Sequence, residues 1–256
     1  SLIKWNNLDS IDKILLTDDI ESYKDFKIIK INENTYKDIP VSNKRFIKTY
    51  YKLECFNLTN YDRIIFIDTD MICLGSIEFL FSKNLNQHSF YAALDNGIGL
   101  NNKRINSGLF VVNKPLLGQN TFSNLLNRAI KGESYDGGDQ GIINKYIKEE
   151  NIQIGILPTK YNLLKRVFIF HKNLWNEVKD DIAMIHYVGQ KPWNIKTKKI
   201  EKGYYKIEKY WYREYRYLFG TKKYLLLLIK VLLGTYVVGT YYRIKKNFKL
   251  RKRIKI

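Results

Sequence analysis

The sequence predicts an α/β fold, a mostly parallel sheet flanked by helices and followed by a basic helical appendage at the C-terminal end. Three observations lead there. Short apolar runs of strand type alternate with segments of helical period through residues 1–190, the pattern of strand–helix–strand units with helices on both sheet faces. The segments richest in small and polar residues fall directly at the ends of those apolar runs, where ligands of such sheets collect. Basic charge is confined to the end of the chain: residues 191–256 hold 20 Lys and Arg against 3 Glu, leaving 24 basic and 22 acidic residues, a net +2 of the total +19, for residues 1–190.

Each element has its own signal. Residues 11–18 (Ile-Asp-Lys-Ile-Leu-Leu-Thr-Asp) and 25–32 (Asp-Phe-Lys-Ile-Ile-Lys-Ile-Asn) read as two strands with a short helical turn between them. After a loop at Pro40, Ser42 is placed to cap a helix reaching about Leu58, on which Phe46, Tyr50, Leu53 and Leu58 recur near helical spacing. The apolar run from Arg63 to Ile67 is a strand of the type buried on both faces. A helix near residues 77–81, a strand at 89–94, a loop at 95–104 and a strand reaching Val111 follow. Helices at 121–129 and 139–149 complete the pattern. With 256 residues and 45% hydrophobic content the chain can bury one large α/β core. We expect one domain over residues 1–195 and an appendage over 196–256. Cys55 on the first long helix and Cys73 near the acidic strand are too few for a disulfide framework. Reduced, buried thiols and a reducing compartment fit them.

The chemistry begins where the Arg63–Ile67 run stops, at Asp68-Thr-Asp70. Carboxylates at i and i+2 of an extended backbone point the same way, so both can reach one hard divalent cation that also bridges to a phosphate. Three further segments share the pattern of small and polar residues at an element boundary. They are Asn106-Ser-Gly-Leu-Phe-Val-Val-Asn113, Tyr135-Asp-Gly-Gly-Asp-Gln-Gly-Ile-Ile-Asn144 and Ile185-His-Tyr-Val-Gly-Gln-Lys-Pro-Trp193.

In this order the four segments resemble the signature of glycosyltransferase family 8, retaining nucleotide-sugar enzymes that include glycogenins, galactinol synthases and bacterial lipopolysaccharide galactosyltransferases. The resemblance runs from about Lys13 to Asn194. It implies a GT-A type, Rossmann-like fold, a UDP-sugar donor and Mn²⁺ or Mg²⁺ as cofactor. It further implies that Asp68, Asp70 and His186 are the metal ligands, and that Gly189 and Lys191 contact the diphosphate. Lys52 would contact donor phosphate or sugar, although an exposed helix lysine is the plain alternative. Asp95, Asn106 and Asp136 match positions that hold donor-sugar hydroxyls, while turn formation for Asp95 and helix capping for Asp136 explain the same residues. Asp139 and Gln140 match the pair nearest the reacting carbon, either as nucleophile or as stabilisers of a cationic ring; an acid at a helix start is favourable in any case. Where glycogenins carry their self-glucosylated tyrosine, seven residues past Asn162, this chain has Ile169, so a separate acceptor, a glycan or lipid-linked sugar, is expected.

Family members have a strand and helix ahead of the part that matches residues 11–18, and Ser1-Leu-Ile-Lys-Trp resembles only the end of that helix. The reading is therefore of an N-terminally incomplete domain. A member that binds nucleotide sugar or lipid without transfer is the alternative this leaves open.

The appendage holds a run of 19 residues from Tyr224 to Tyr242 broken by one charge, Lys230, before a basic end. The length is marginal for a span, and orienting the basic end to the cytoplasm would carry the catalytic domain away from a cytoplasmic donor. A shallow anchor on an anionic membrane surface satisfies both constraints, giving a cytoplasmic, peripheral protein. A near-neutral main domain argues against nucleic acid as a partner. The reading is a metal-dependent, retaining hexosyltransferase using UDP-glucose or UDP-galactose.

Overall fold

The apolar runs pair into three sheets, and most of the helical segments cover them. The computed structural model describes residues 1–19, 25–97, 103–193 and 204–253, with side chains of the final helix through Val231. In chain order the strands are β1 (Ile14–Thr17), β2 (Lys27–Lys30), β3 (Arg63–Ile67), β4 (Met71–Cys73), β5 (Phe90–Leu94), β6 (Ile105–Asn113), β7 (Ile154–Ile156), β8 (Leu163–Leu164) and β9 (Met184–His186). The α-helices are α1 (Leu2–Trp5), α2 (Gln119–Ile130), α3 (Asp139–Glu149), α4 (Val167–Phe170), α5 (Lys172–Val178) and α6 (Tyr204–Arg253). The expected turn between β1 and β2 and the expected boundary at residue 195 lie outside the described residues, as do residues 98–102 of the loop before β6.

The sheets are β1-β2, β3-β6-β5-β7 and β4-β9-β8. Pairing is mixed rather than mostly parallel: β1-β2, β5-β7 and β8-β9 are parallel, and β3-β6, β5-β6 and β4-β9 antiparallel. The loop joining β5 to β6 is too short for a helical crossover, so those strands must form an antiparallel pair. β6 is buried along its whole length. Its side chains alternate as the strand period requires: Phe110 and Val112 enter a core under the 44–57 segment, α2 and α3. Leu109 and Val111 enter a second core with Leu80, Tyr91 and Leu157. β3, by contrast, pairs among the described strands only with β6. Of its apolar residues only Ile64 is buried, because the free edge faces a cavity where the sequence pattern had implied cover on both sides.

The expected helix over 42–58 forms at Lys44–Asn57, with 3-10 rather than α geometry. Three residues per turn put every third side chain on one face, and Tyr50, Leu53 and Phe56 are accordingly sunk in the core. Phe46 falls off that row and is 47% exposed. Lys52 and Cys55 occupy the neighbouring row and are also buried. Cys55 and Cys73 are both buried, unpaired thiols, and burial lifts both above the usual thiol range. The first turns of α6 pack through Tyr204 and Ile207 on Leu163, Ile185 and Tyr187. The helix breaks at Gly220, whose φ is 80°.

Candidate active site

Strand β3 ends where the chain leaves one sheet for another. The Asp68 amide donates to the Gly108 carbonyl at 2.7 Å, extending the ladder to β6 by one residue. Two residues later the Asp70 carbonyl accepts from Tyr187 N at 3.0 Å, the end of the β4–β9 ladder. Between them the Asp68 carbonyl accepts from Met71 N at 3.2 Å. The two carboxylates are therefore brought together by a turn between two sheets, not by the extended backbone that the i, i+2 spacing suggests.

His186 closes the group from β9. Ligand atoms of Asp68, Asp70 and His186 lie within 4.8 Å of one another, with His186 Nε2 3.1 Å from Asp70 Oδ1 and 3.8 Å from Asp68 Oδ2. The orientation of the imidazole is fixed from behind. Asn106 Oδ1 accepts from Gly108 N at 3.0 Å and from Asn162 Nδ2 at 2.8 Å. That leaves Asn162 Oδ1 to accept from His186 Nδ1 at 3.0 Å. The proton is thus assigned to Nδ1 and the Nε2 lone pair is directed at the carboxylates, as a metal-ligating histidine requires. Burial holds His186 down at about 4, with the nearby carboxylates only partly opposing it. Two carboxylates and a neutral imidazole form an oxygen-and-nitrogen donor set that fits Mn²⁺ or Mg²⁺.

Gly108 is required by this approach. A Cβ there would lie 2.1 Å from His186 Cε1, so any side chain forces the ring away.

Lys52 joins the acid–histidine cluster to the start of α3. Its Nζ is 3.1 Å from Asp68 Oδ1 and 2.9 Å from Asp139 Oδ2, and it donates to the Ser107 carbonyl at 3.1 Å. Burial works against its charge, but Asp139 and Asp68 outweigh this and hold its pKa above the ordinary lysine value. Ser107 Oγ donates to Asp139 Oδ2 at 2.6 Å. Gln140 is held at both ends of its amide: Oε1 accepts from Asn106 Nδ2 at 3.0 Å and Ser107 N at 3.2 Å, and Nε2 donates to Asp95 Oδ2 at 2.9 Å. On the opposite wall Lys191 Nζ contacts Asp70 Oδ2 and donates to the Tyr187 carbonyl at 3.0 Å. Burial lowers its pKa.

A cavity of about 2220 Å³ connects this cluster to the free edges of β1 and β3. Lys52, Asp68, Asp70, Asn106, Asp136, Asp139, Gln140, His186 and Lys191 all reach it. Asp95 and Gly189 are not part of the described lining. Asp95 meets the site through Gln140 and also turns its own loop, accepting from Gly97 N at 3.1 Å. Gly189 has a φ of 73°. Asp136 has the capping geometry that competed with its sugar-binding role, its Oδ1 accepting from Gly138 N and Gly141 N at 3.0 Å each. Sequence reasoning passed over Ser107, Gly108 and Asn162. The first two stand inside the Asn106-Ser-Gly segment, but nothing about Asn162 in sequence marks it as the residue behind His186.

The fold and the acid–histidine cluster have counterparts among known proteins. The model of glycosyl transferase family 8 matches residues 3–197. The chain belongs to that family. It is 31% identical over 151 residues to human glycogenin-2, covering 58% of this chain and 28% of that protein. To glycogenin-1 of Caenorhabditis elegans it is 29% identical over 183 residues, 68% of this chain and 39% of that one. UDP-glucuronate:xylan alpha-glucuronosyltransferase 1 of Arabidopsis thaliana is 32% identical over 152 residues, 56% and 21% respectively. The chain thus spans well under half the length of these curated relatives. Among solved structures, galactosyltransferase LgtC in complex with donor and acceptor sugar analogs shares the fold with a TM-score of 0.51 at 19% identity, over 67% of this chain and 69% of that one. The apo structure of the bifunctional glycosyltransferase WbbM gives 0.50 at 21%, over 67% and 37%.

Two outcomes check this geometry. Gly108→Ala should weaken Mn²⁺ binding at least about tenfold by displacing His186, the scale of loss seen when metal-ligand orientation is disturbed; Mn²⁺ affinity followed by electron paramagnetic resonance would expose an unaltered site. Because His186 is neutral well below the ordinary imidazole range, Mn²⁺ affinity should stay nearly constant between about pH 7.5 and about pH 5.5, whereas a ligand with the ordinary value of about 6.5 would cost roughly tenfold there.

Proposed function

We propose that the chain is a retaining, metal-dependent transferase that moves a hexose, glucose or galactose first, from a UDP-sugar to a glycan or lipid-linked acceptor. The observation that carries this reading is the meeting of Asp68, Asp70 and His186 at one end of a cavity whose other walls bring Lys52, Asp139, Gln140 and Lys191 to the same place. Mn²⁺ or Mg²⁺ held by Asp68, Asp70 and His186 would supply Lewis-acid neutralisation of the departing diphosphate. The chain's own residues divide the remaining work.

Lys191 adds a positive charge from the opposite wall, released from Asp70 once a metal competes for that carboxylate. The left-handed backbone at Gly189 turns the loop that carries Lys191 to the cavity. A sugar ring losing its diphosphate develops positive charge, which needs fixed negative groups beside it. Asp139, anchored by Lys52 and Ser107, and the immobilised Gln140 suit that role, as nucleophile or as stabilisers. Asn106 and Asp95 hold Gln140 and take part in sugar recognition with Asp136. Lys52, tied to Asp68 and Asp139 together, keeps the metal end and the sugar end in register.

The exposed face of α6 supports a second part of the reading, peripheral attachment of a cytoplasmic enzyme to an anionic membrane. Leu218, Phe219, Leu225, Leu226 and Ile229 are each about half exposed beside Lys222, Lys223 and Lys230. No described helix is long and apolar enough to cross a membrane, which leaves a surface-lying mode.

Calorimetric titration of UDP with and without Mn²⁺ tests the donor site. Metal-dependent binding is expected, with at least about tenfold loss in Asp68→Ala and in Asp70→Ala; metal-independent or absent binding sinks the reading, and binding without sugar release from UDP-glucose or UDP-galactose would make the chain a non-transferring member. Co-sedimentation with vesicles tests the tail. Partition should favour phosphatidylglycerol over phosphatidylcholine, and the double variant Lys222→Gln, Lys223→Gln should lower it more than about tenfold, since each basic residue near such a surface contributes about 1 kcal/mol.

A further inference from the structure

Lys165 is a fully buried lysine that the proposed chemistry does not use. It follows β8, and only 2% of its surface is exposed. Its backbone amide donates to the carbonyl of the metal-site residue His186 at 3.0 Å. Its Nζ donates to the Gln190 carbonyl and lies 4.5 Å from the centre of the Tyr204 ring. One side chain therefore touches both the loop bearing Gly189 and Lys191 and the first turn of α6.

The surrounding contacts repeat the same connection. Tyr187 donates its hydroxyl to the Ile207 carbonyl of α6 at 3.0 Å. The backbone of Tyr187 meanwhile holds Asp70 through its amide and Lys191 through its carbonyl, each at 3.0 Å. Tyr212 donates to the Pro192 carbonyl at 3.0 Å. Trp211 packs on Trp193 with ring centres 5.4 Å apart. Segment 187–193 thus has the cavity on one side and a plate made from the base of α6 on the other, and it is pinned to that plate at Tyr187, Pro192 and Trp193 and to Lys165 at Gln190. A loop with a left-handed glycine has few conformational preferences of its own, so external pins decide where Lys191 stands.

We propose that Lys165 is a positioning residue for the donor site, which, with Tyr187 and Tyr212, fixes segment 187–193 against the first turns of α6. The base of α6 becomes a structural part of the donor site, and what happens to that helix is transmitted to Lys191. The effect on donor affinity rests on the UDP-sugar reading above; the ordering of the loop does not.

The test uses the full chain with Lys165→Met, which keeps the length of the side chain without the ammonium, and separately with Tyr187→Phe and Tyr212→Phe, which remove one hydroxyl each and no charge. Amide hydrogen exchange without ligand should show faster exchange in 187–193 and in 204–212 for each variant, with β3, β5 and β6 unchanged. UDP affinity with Mn²⁺ should fall about tenfold for Lys165→Met, a loss typical of residues that orient a site from behind, and by a smaller factor for each tyrosine variant. Uniformly faster exchange throughout the chain, or loop protection unchanged in all three variants, overturns the inference. If the unaltered chain does not bind UDP, the functional reading fails while exchange still decides the positioning role. Failure of Lys165→Met to fold leaves the decision to the two tyrosine variants.

Discussion

The passage of the chain from one sheet to another at Asp68-Thr69-Asp70 is the constraint on which the site depends. Gly108 holds the start of this step and Tyr187 its end, each by a backbone hydrogen bond. The positions of both carboxylates are therefore set by two independent ladders. Turn geometry brings Met71 opposite His186, which is what places an imidazole beside two acids. Both bonds belong to the backbone and involve no ligand, so the cluster is prepared before any ion or substrate arrives.

A chain of polar side chains behind the cluster does the finer work. Asn106 connects to Asn162 and thence to His186 on one side, and to Gln140 and thence to Asp95 on the other. A buried network of this kind is stable only when every donor and acceptor is used, which fixes the amide orientations and the imidazole tautomer together. Lys52 crosses beneath it and balances Asp68 and Asp139. Within such a network, loss of one member disturbs residues that it does not touch.

Much of the architecture was legible as pattern. The β5, β6, α2 and α3 segments lie where apolar periodicity and boundary residues put them, and α3 begins at Asp139 as the run Asp136-Gly-Gly-Asp139 suggested. The 44–57 segment was legible in place but not in type, since apolar residues at 50, 53 and 56 fit three residues per turn as well as a looser helical period. β3 was misleading in its degree of burial. An all-apolar run normally stands inside a sheet, but here it borders the cavity and keeps one edge unpaired.

By itself the sequence determined which residue types could do chemistry and where they fall along the chain: the spacing of Asp68 and Asp70 marked one acidic pair, and the resemblance of the four ordered segments to a known family marked Asp139, His186, Lys52 and Lys191. Order and local spacing are properties that the chain carries without folding. Tertiary structure alone decided that Asn162 orients His186, that Gly108 makes room for the ring, and that Lys165 lies beneath the Gly189–Lys191 loop. Each of these is a contact between segments far apart in the chain, and one sequence records no distance between such segments.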